Sequence, residues 1–175
     1  QVLEAIPDRP ISFEVFSDDF ADMERQGREI ATWGDNVYVK IPVTNTKRQP
    51  AYNLIDRLSH AGVKVNVTAI MTLTQVRDTI VSLRGGAPSC VSVFAGRIAD
   101  TGHDPVPLMA AAMELVKIEP ANLGVGLYQH IGAARAGELA ALRERAAESG
   151  VPAVAAEAEG LGDHLERGRG IRPLP

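Results

Sequence analysis

Along the first two thirds of the chain, apolar residues fall in short dense runs, separated by stretches where they recur every three or four positions. The runs "ISFEVF" (11–16), "NVYVKIPV" (36–43), "VKVNVTAI" (63–70) and "SCVSVFAGRI" (89–98) predict strands. The intervals predict helices. "SDDFADMERQGREIATW" offers Ser17 as an N-cap, with Asp18 and Asp19 suited to a first turn. "RQPAYNLIDRLSHAG" puts Leu54, Ile55 and Leu58 on one face, and Gly62 suits its C-terminal cap. "LTQVRDTIVSLRGG" sets Val76, Ile80 and Leu83 at helical spacing. "VPLMAAAMELVKI" follows the fourth strand after a loop, with Met109 and Met113 read as helix core. Strands and helices alternating at this pitch predict βαβ units and a parallel sheet.

Parallel strands are covered on both faces, so the informative step is to split each one by its period of two. Phe13 and Val15, then Val37, Val39, Ile41 and Val43, then Val63, Val65 and Val67, then Val91 and Val93 form one aliphatic or aromatic set. That set is expected to face the helices. The other set holds Ser12 and Glu14, Tyr38 and Lys40, Asn66 and Thr68, Ser92 and Phe94. Every strand contributes a polar group to this second face.

Glu14, Lys40, Asn66 and Ser92 follow one another at intervals of 26 residues. Four βα units of equal length would bring these side chains to one level of adjacent strands. A closed barrel collects inward-pointing residues near its C-terminal mouth, where (β/α)₈ enzymes keep their active sites. An open doubly wound sheet predicts no such polar ring, and no glycine-rich phosphate fingerprint follows a strand. The expected fold is therefore α/β, a (β/α)₈ TIM barrel or part of one.

Composition changes this picture little. The chain has 175 residues, 45% hydrophobic and 23% charged, enough for one sizeable core. A net charge of −4 without a basic block gives no footprint for nucleic acid or an anionic membrane. No apolar run approaches the roughly 20 residues of a membrane helix, and "QVLEAIPDRP" lacks the layout of a signal peptide. Cys90 stands alone, so no disulfide framework or thiolate metal site is expected, and a reducing, cytoplasmic setting is the default. His60, His103, His130 and His164 have no i, i+4 pairing and no carboxylate at ligand spacing; neither a metal nor another cofactor is expected.

Beyond about residue 120 the text shifts. "NLGVGLYQH" suits another strand but breaks the 26-residue pitch. Residues 133–149 predict an alanine-rich helix ending at Gly150, "VPAVAA" a short strand, and "EAEGLGDHLERGRGIRPLP" a solvated or disordered tail. The expected division is residues 1–120 as a barrel segment and 121–175 as a divergent Ala/Gly/Arg-rich region, with one or two further βα elements.

Lys40 poses the sharpest chemical question. It is either an edge-strand lysine reaching water or an amine wanted in a dry place. A lysine in low dielectric has its pKa lowered, which supplies free amine near neutral pH. Such an amine beside a bound ketone forms a Schiff base, an electron sink for breaking or making the adjacent carbon–carbon bond. The proton transfers that accompany it need a carboxylate and hydroxyls, often through one positioned water. Glu14 and Thr68 fit that task, and Asn66 could orient substrate hydroxyls; a buried Glu14–Lys40 salt bridge is the alternative use of Glu14. Arg97, just past a strand end in "FAGRIADTGHD", suits a phosphate. Its alternative is an ion pair with Asp100 or Asp104 that only shapes a loop. Tyr38 and Phe94 read as pocket walls.

The strings "NVYVKIPVT", "VNVTAI" and "VSVFAGRIADTG", in this order and spacing, resemble the transaldolase family, over about residues 11–110. The resemblance implies a metal-independent (β/α)₈ barrel with Schiff-base chemistry. It moves a dihydroxyacetone unit between sugar phosphates: sedoheptulose 7-phosphate and glyceraldehyde 3-phosphate give erythrose 4-phosphate and fructose 6-phosphate, in the pentose phosphate pathway. By that resemblance Lys40 is the Schiff-base lysine of barrel strand four, Glu14 of strand three and Thr68 hold the catalytic water, and Asn66 of strand five binds substrate. Ser92 and Arg97 match a serine and a phosphate-binding arginine of strand six. Phe94 stands where transaldolases have phenylalanine and the related fructose 6-phosphate aldolases tyrosine, which leans toward transfer. The expected partners are sugar phosphates, with a homo-oligomer left open. On this resemblance the chain begins at strand three, without the strand-one aspartate and strand-two asparagine, and "LGVGLYQH" replaces the usual strand-seven run. Barrel strands three to six are thus expected here; a typical barrel takes about 250 residues. A truncated or frameshifted product, or an inactive relative, is the competing expectation, and Gln1 in place of Met agrees with it.

Overall fold

The computed structural model describes residues 2–5, 7, 9–118 and 123–128. Five strands alternate with helices in the order α1 (Val2–Ala5), β1 (Ile11–Glu14), α2 (Phe20–Ile30), β2 (Val37–Pro42), α3 (Tyr52–His60), β3 (Val65–Ile70), α4 (Leu73–Leu83), β4 (Ser89–Phe94), α5 (Ala95–Asp100), α6 (Val106–Ile118) and β5 (Leu123–Tyr128). A single 3₁₀ turn, Ala31–Trp33, closes α2. All neighbouring strands are parallel and the sheet order is the chain order, β1-β2-β3-β4-β5. The expected α/β architecture with strand–helix alternation is what the chain adopts. The strand expected from "NLGVGLYQH" is β5, parallel to β4. The helix expected at 133–149, the strand "VPAVAA" and the tail lie outside the described residues.

The period-two split holds in three dimensions. Val39, Ile41, Val43, Val65, Val67, Val91 and Val93 are fully buried beneath the helices, joined by Leu54, Ile55 and Leu58 of α3, Val76 and Leu83 of α4 and Met109 of α6. Burying each such aliphatic side chain contributes about 1.5–3 kcal/mol relative to exposure, which makes this layer the main support of the sheet. Helix α3 packs on α4, and α4 on α6, so the helices form a continuous outer layer.

Local chemistry sets the element ends. The N-cap of α2 is Asp19 rather than the expected Ser17: its Oδ1 accepts from the backbone N–H of Ala21 and Asp22, both at 3.0 Å. A carboxylate there satisfies two orphan donors and meets the positive end of the helix dipole, which a hydroxyl does less well. Ser17 sits two residues upstream, its Oγ accepting from Asp19 N at 3.1 Å. Strand β1 is shorter than 11–16 because the backbone N–H of Phe16 turns to Gln26 Oε1 at 2.7 Å and the Phe16 ring is left 98% exposed. Gly62 adopts φ +87° just past α3, as the cap requires. Helix α4 carries a capping box the sequence reading missed: Thr72 Oγ1 accepts from Gln75 N, and Gln75 Oε1 accepts from Thr72 N.

The sheet is concave on its inner face. Strands two apart lie roughly 9.6 Å apart in a flat sheet, yet Asn66 Nδ2 of β3 donates to Ser12 Oγ of β1 at 2.9 Å, directly over β2. Two short side chains meet across an intervening strand only if the sheet curls toward them, as a barrel wall does.

Candidate active site

The inner face of this wall collects the polar set. Lys40 lies on β2, which has β1 on one side and β3 on the other, and it is 8% exposed. The edge-strand reading of this lysine is therefore excluded. Glu14 is level with Lys40 on β1, and Asn66 is level with it on β3. Thr68, buried, is level with Pro42, one inner-face step closer to the C-terminal ends of the strands.

Ser92 is not on that level. The residue paired with Asn66 is Cys90, two positions earlier, and Ser92 pairs with Gly126 of β5. Equal spacing along the chain gives equal height only where successive pairings keep one register, and the β3–β4 pairing is offset by two residues from those of β1–β2 and β2–β3. Ser92 nevertheless reaches the group: its Oγ donates to Asn66 Oδ1 at 2.6 Å, with Ser92 1% exposed. An irregularity in β3 between Val67 and Ile70, where Ala69 takes φ +61°, adds one residue to that strand immediately after Thr68.

Glu14 departs from expectation in another way. It is exposed, on the last described strand at this side of the sheet, so a buried Glu14–Lys40 salt bridge is not present. Its register with Lys40 is kept. Arg97 belongs to α5 rather than to a loop, also exposed, with Nη1 3.8 Å from Asp100 Oδ2. A contact that long between two exposed groups adds little, and the guanidinium remains available at the strand end. Phe94 is half-buried where β4 passes into α5. Structure thus brings Lys40, Asn66, Thr68 and Ser92 into one buried group, with Glu14 beside it and Arg97 and Phe94 at its rim.

Below Lys40, toward the N-terminal ends of the strands, sits Tyr38, level with Ser12. Burial pushes the Tyr38 phenol above its ordinary value of 10.0, with the neighbouring Cys90 adding to the shift. Lys64 Nζ stands 5.9 Å from the centre of the Tyr38 ring. Above Lys40, the loops after β1 and β2 are tied together: Asp18 accepts from Thr46 N at 2.7 Å and from Thr46 Oγ1 at 2.6 Å. These bonds, the hydroxyl's first, hold the Asp18 carboxyl below the ordinary carboxylate range. Between the loops lies an open cleft of about 320 Å³ lined by Asp18, Asp19, Phe20, Asn45, Lys47 and Gln49. Sequence reasoning assigned no role to Ser12 or to the Asp18–Thr46 tie; Ser12 showed only as an inner-face polar residue, and the tie spans 28 residues with no motif to mark it.

Among the described residues, no cluster of three His, Cys, Asp or Glu side chains is placed to hold a metal ion. No described helix is long and apolar enough to cross a membrane.

A curled parallel β/α sheet with a buried lysine and an amide–hydroxyl group on its concave face places the chain in the α/β class, as part of a (β/α)₈ barrel. Residues 1–130 match the model of the transaldolase/fructose-6-phosphate aldolase family, and the chain belongs to that family. It is similar to a probable transaldolase of Dehalococcoides mccartyi, 36% identical over 117 residues, covering 67% of this chain and 50% of the relative. A probable transaldolase of Streptococcus equi subsp. zooepidemicus is 42% identical over 105 residues, covering 60% and 45%. One from Streptococcus pyogenes serotype M5 is 39% identical over 113 residues, covering 65% and 49%. The chain spans about half the length of the curated relatives it matches.

Proposed function

We propose that the protein is a transaldolase, using Lys40 to carry a dihydroxyacetone unit from a ketose phosphate to an aldose phosphate acceptor. The observation that carries this reading is Lys40 itself: a lysine 8% exposed on an interior strand, level with an asparagine that a serine holds at 2.6 Å. Lys40 Nζ adds to the donor's C2 carbonyl, and the carbinolamine loses water to give an iminium. The C3–C4 bond then breaks, its electron pair entering the iminium as an enamine while the aldehyde product leaves. The enamine carbon attacks the acceptor aldehyde, and water hydrolyses the new iminium, returning the free amine and the new ketose. Glu14 and Thr68 hold the water that moves protons in these steps, Asn66 and Ser92 orient donor hydroxyls, and Arg97 receives the phosphate. Phe94 at the rim favours transfer over simple cleavage. The natural substrates are then sedoheptulose 7-phosphate and glyceraldehyde 3-phosphate, in the pentose phosphate pathway of the cytoplasm.

Product partition tests this. With fructose 6-phosphate and erythrose 4-phosphate, the full-length protein should form sedoheptulose 7-phosphate, and only when the acceptor is present. Release of free dihydroxyacetone without acceptor would replace transfer by aldol cleavage; neither product would end the enzymatic reading and favour an inactive relative.

A further inference from the structure

The Schiff-base scheme above makes no use of Ser12, yet Ser12 is half-buried on the inner face of β1 and bonded to Asn66. Asn66 is gripped from two sides. Ser92 Oγ donates to Oδ1 at 2.6 Å and Ser12 Oγ accepts from Nδ2 at 2.9 Å, lengths that suit an O–H···O and an N–H···O bond respectively. One grip would leave the amide free to swing, since the terminal torsion of asparagine is broad; two partners on opposite ends fix it. Asparagine has two N–H donors and two acceptor lone pairs. With one of each engaged, one N–H and one lone pair remain for a ligand hydroxyl.

The register shows where this bridge runs. Ser12 is level with Tyr38, and Asn66 is level with Lys40. The Ser12–Asn66 bond therefore crosses β2 between the side chains of Tyr38 and Lys40, with Val39 pointing to the opposite face. It forms a polar bridge between the level of Tyr38 and the level of Lys40.

We propose that Ser12 is a positioning residue that locks the Asn66 amide from the side opposite Ser92 and so sets how a donor hydroxyl is held beside Lys40. Its effect on turnover rests on the Schiff-base reading; the lock itself does not. In the full-length protein, S12A should slow borohydride trapping of fructose 6-phosphate on Lys40 by about tenfold, the usual scale for losing one partner of a buried amide. The same change in an N66A background should cost less than about twofold, because a residue acting through Asn66 has nothing left to position. S12T, which keeps the hydroxyl, should trap faster than S12A. An equal loss in both backgrounds, or no loss in either, overturns the proposal. If the unaltered protein forms no adduct, the Schiff-base reading fails separately, and side-chain amide exchange by NMR decides the lock. Asn66 Nδ2 protons should exchange about tenfold faster in S12A than in the parent or S12T; unchanged exchange overturns it.

Discussion

Replacing Asn66 with alanine removes both of its hydrogen bonds and strands the Ser92 hydroxyl, which is 1% exposed and so shielded from bulk solvent. An orphaned buried hydroxyl costs about 1–3 kcal/mol, and the two lost bonds and the small void bring the expected destabilisation to about 2–4 kcal/mol. S92A is milder. It leaves Asn66 Oδ1 without its donor, but Asn66 keeps 7% exposure, and solvent reaching it should limit the loss to about 1 kcal/mol. The double variant N66A/S92A has neither orphan, so it should cost about 1–2 kcal/mol less than the sum of the singles. Urea denaturation of the four proteins, compared at a shared m-value, measures all three quantities. Strict additivity, or an N66A cost no larger than that of S92A, would refute the view that these groups form one closed polar unit.

Gly86→Ala should destabilise by about 1–3 kcal/mol, because its Cβ would lie 2.0 Å from Ser59 Oγ and 3.1 Å from the Ser59 backbone carbon, and backbone cannot step aside; an unchanged melting temperature would contradict the contact. Thr72→Ala removes one half of the α4 capping box and should cost about 1 kcal/mol by urea titration, while Thr72→Ser should recover most of it. The Tyr38 phenol, pushed up by burial, stays neutral in the folded protein after it ionises in the unfolded chain, so its contribution is full below about pH 10 and lost as pH rises through the folded value. Tyr38→Phe should make the alkaline fall in urea midpoint shallower, and an unchanged slope would count against the buried phenol.

Much of the fold was legible because parallel strands carry two unlike faces. Val39, Val65 and Val91 alternate with Lys40, Asn66 and Ser92, and the burial each set shows follows from that alternation. Lys40 and Asn66 were also legible as neighbours, since two equal βα units put them at one height. Ser92 shows the limit: its offset against Asn66 is set by how β3 pairs with β4, a property of the assembled sheet that no single unit encodes. Ser12 was hidden for a related reason, because its bond to Asn66 exists only where the sheet curls over β2. The misplaced N-cap of α2 is a local matter, three adjacent residues, Ser17, Asp18 and Asp19, each able to cap; the tie of Asp18 to Thr46 leaves Asp19 for the helix.

The central claim is that Lys40 is the amine that captures a ketose. Incubating the full-length protein with fructose 6-phosphate, reducing with borohydride and mapping the peptides by mass spectrometry tests it directly. A single reduced adduct on Lys40, absent in K40M, is the predicted result. A folded protein that carries no adduct, or carries it on Lys47 or Lys64 instead, would contradict the account.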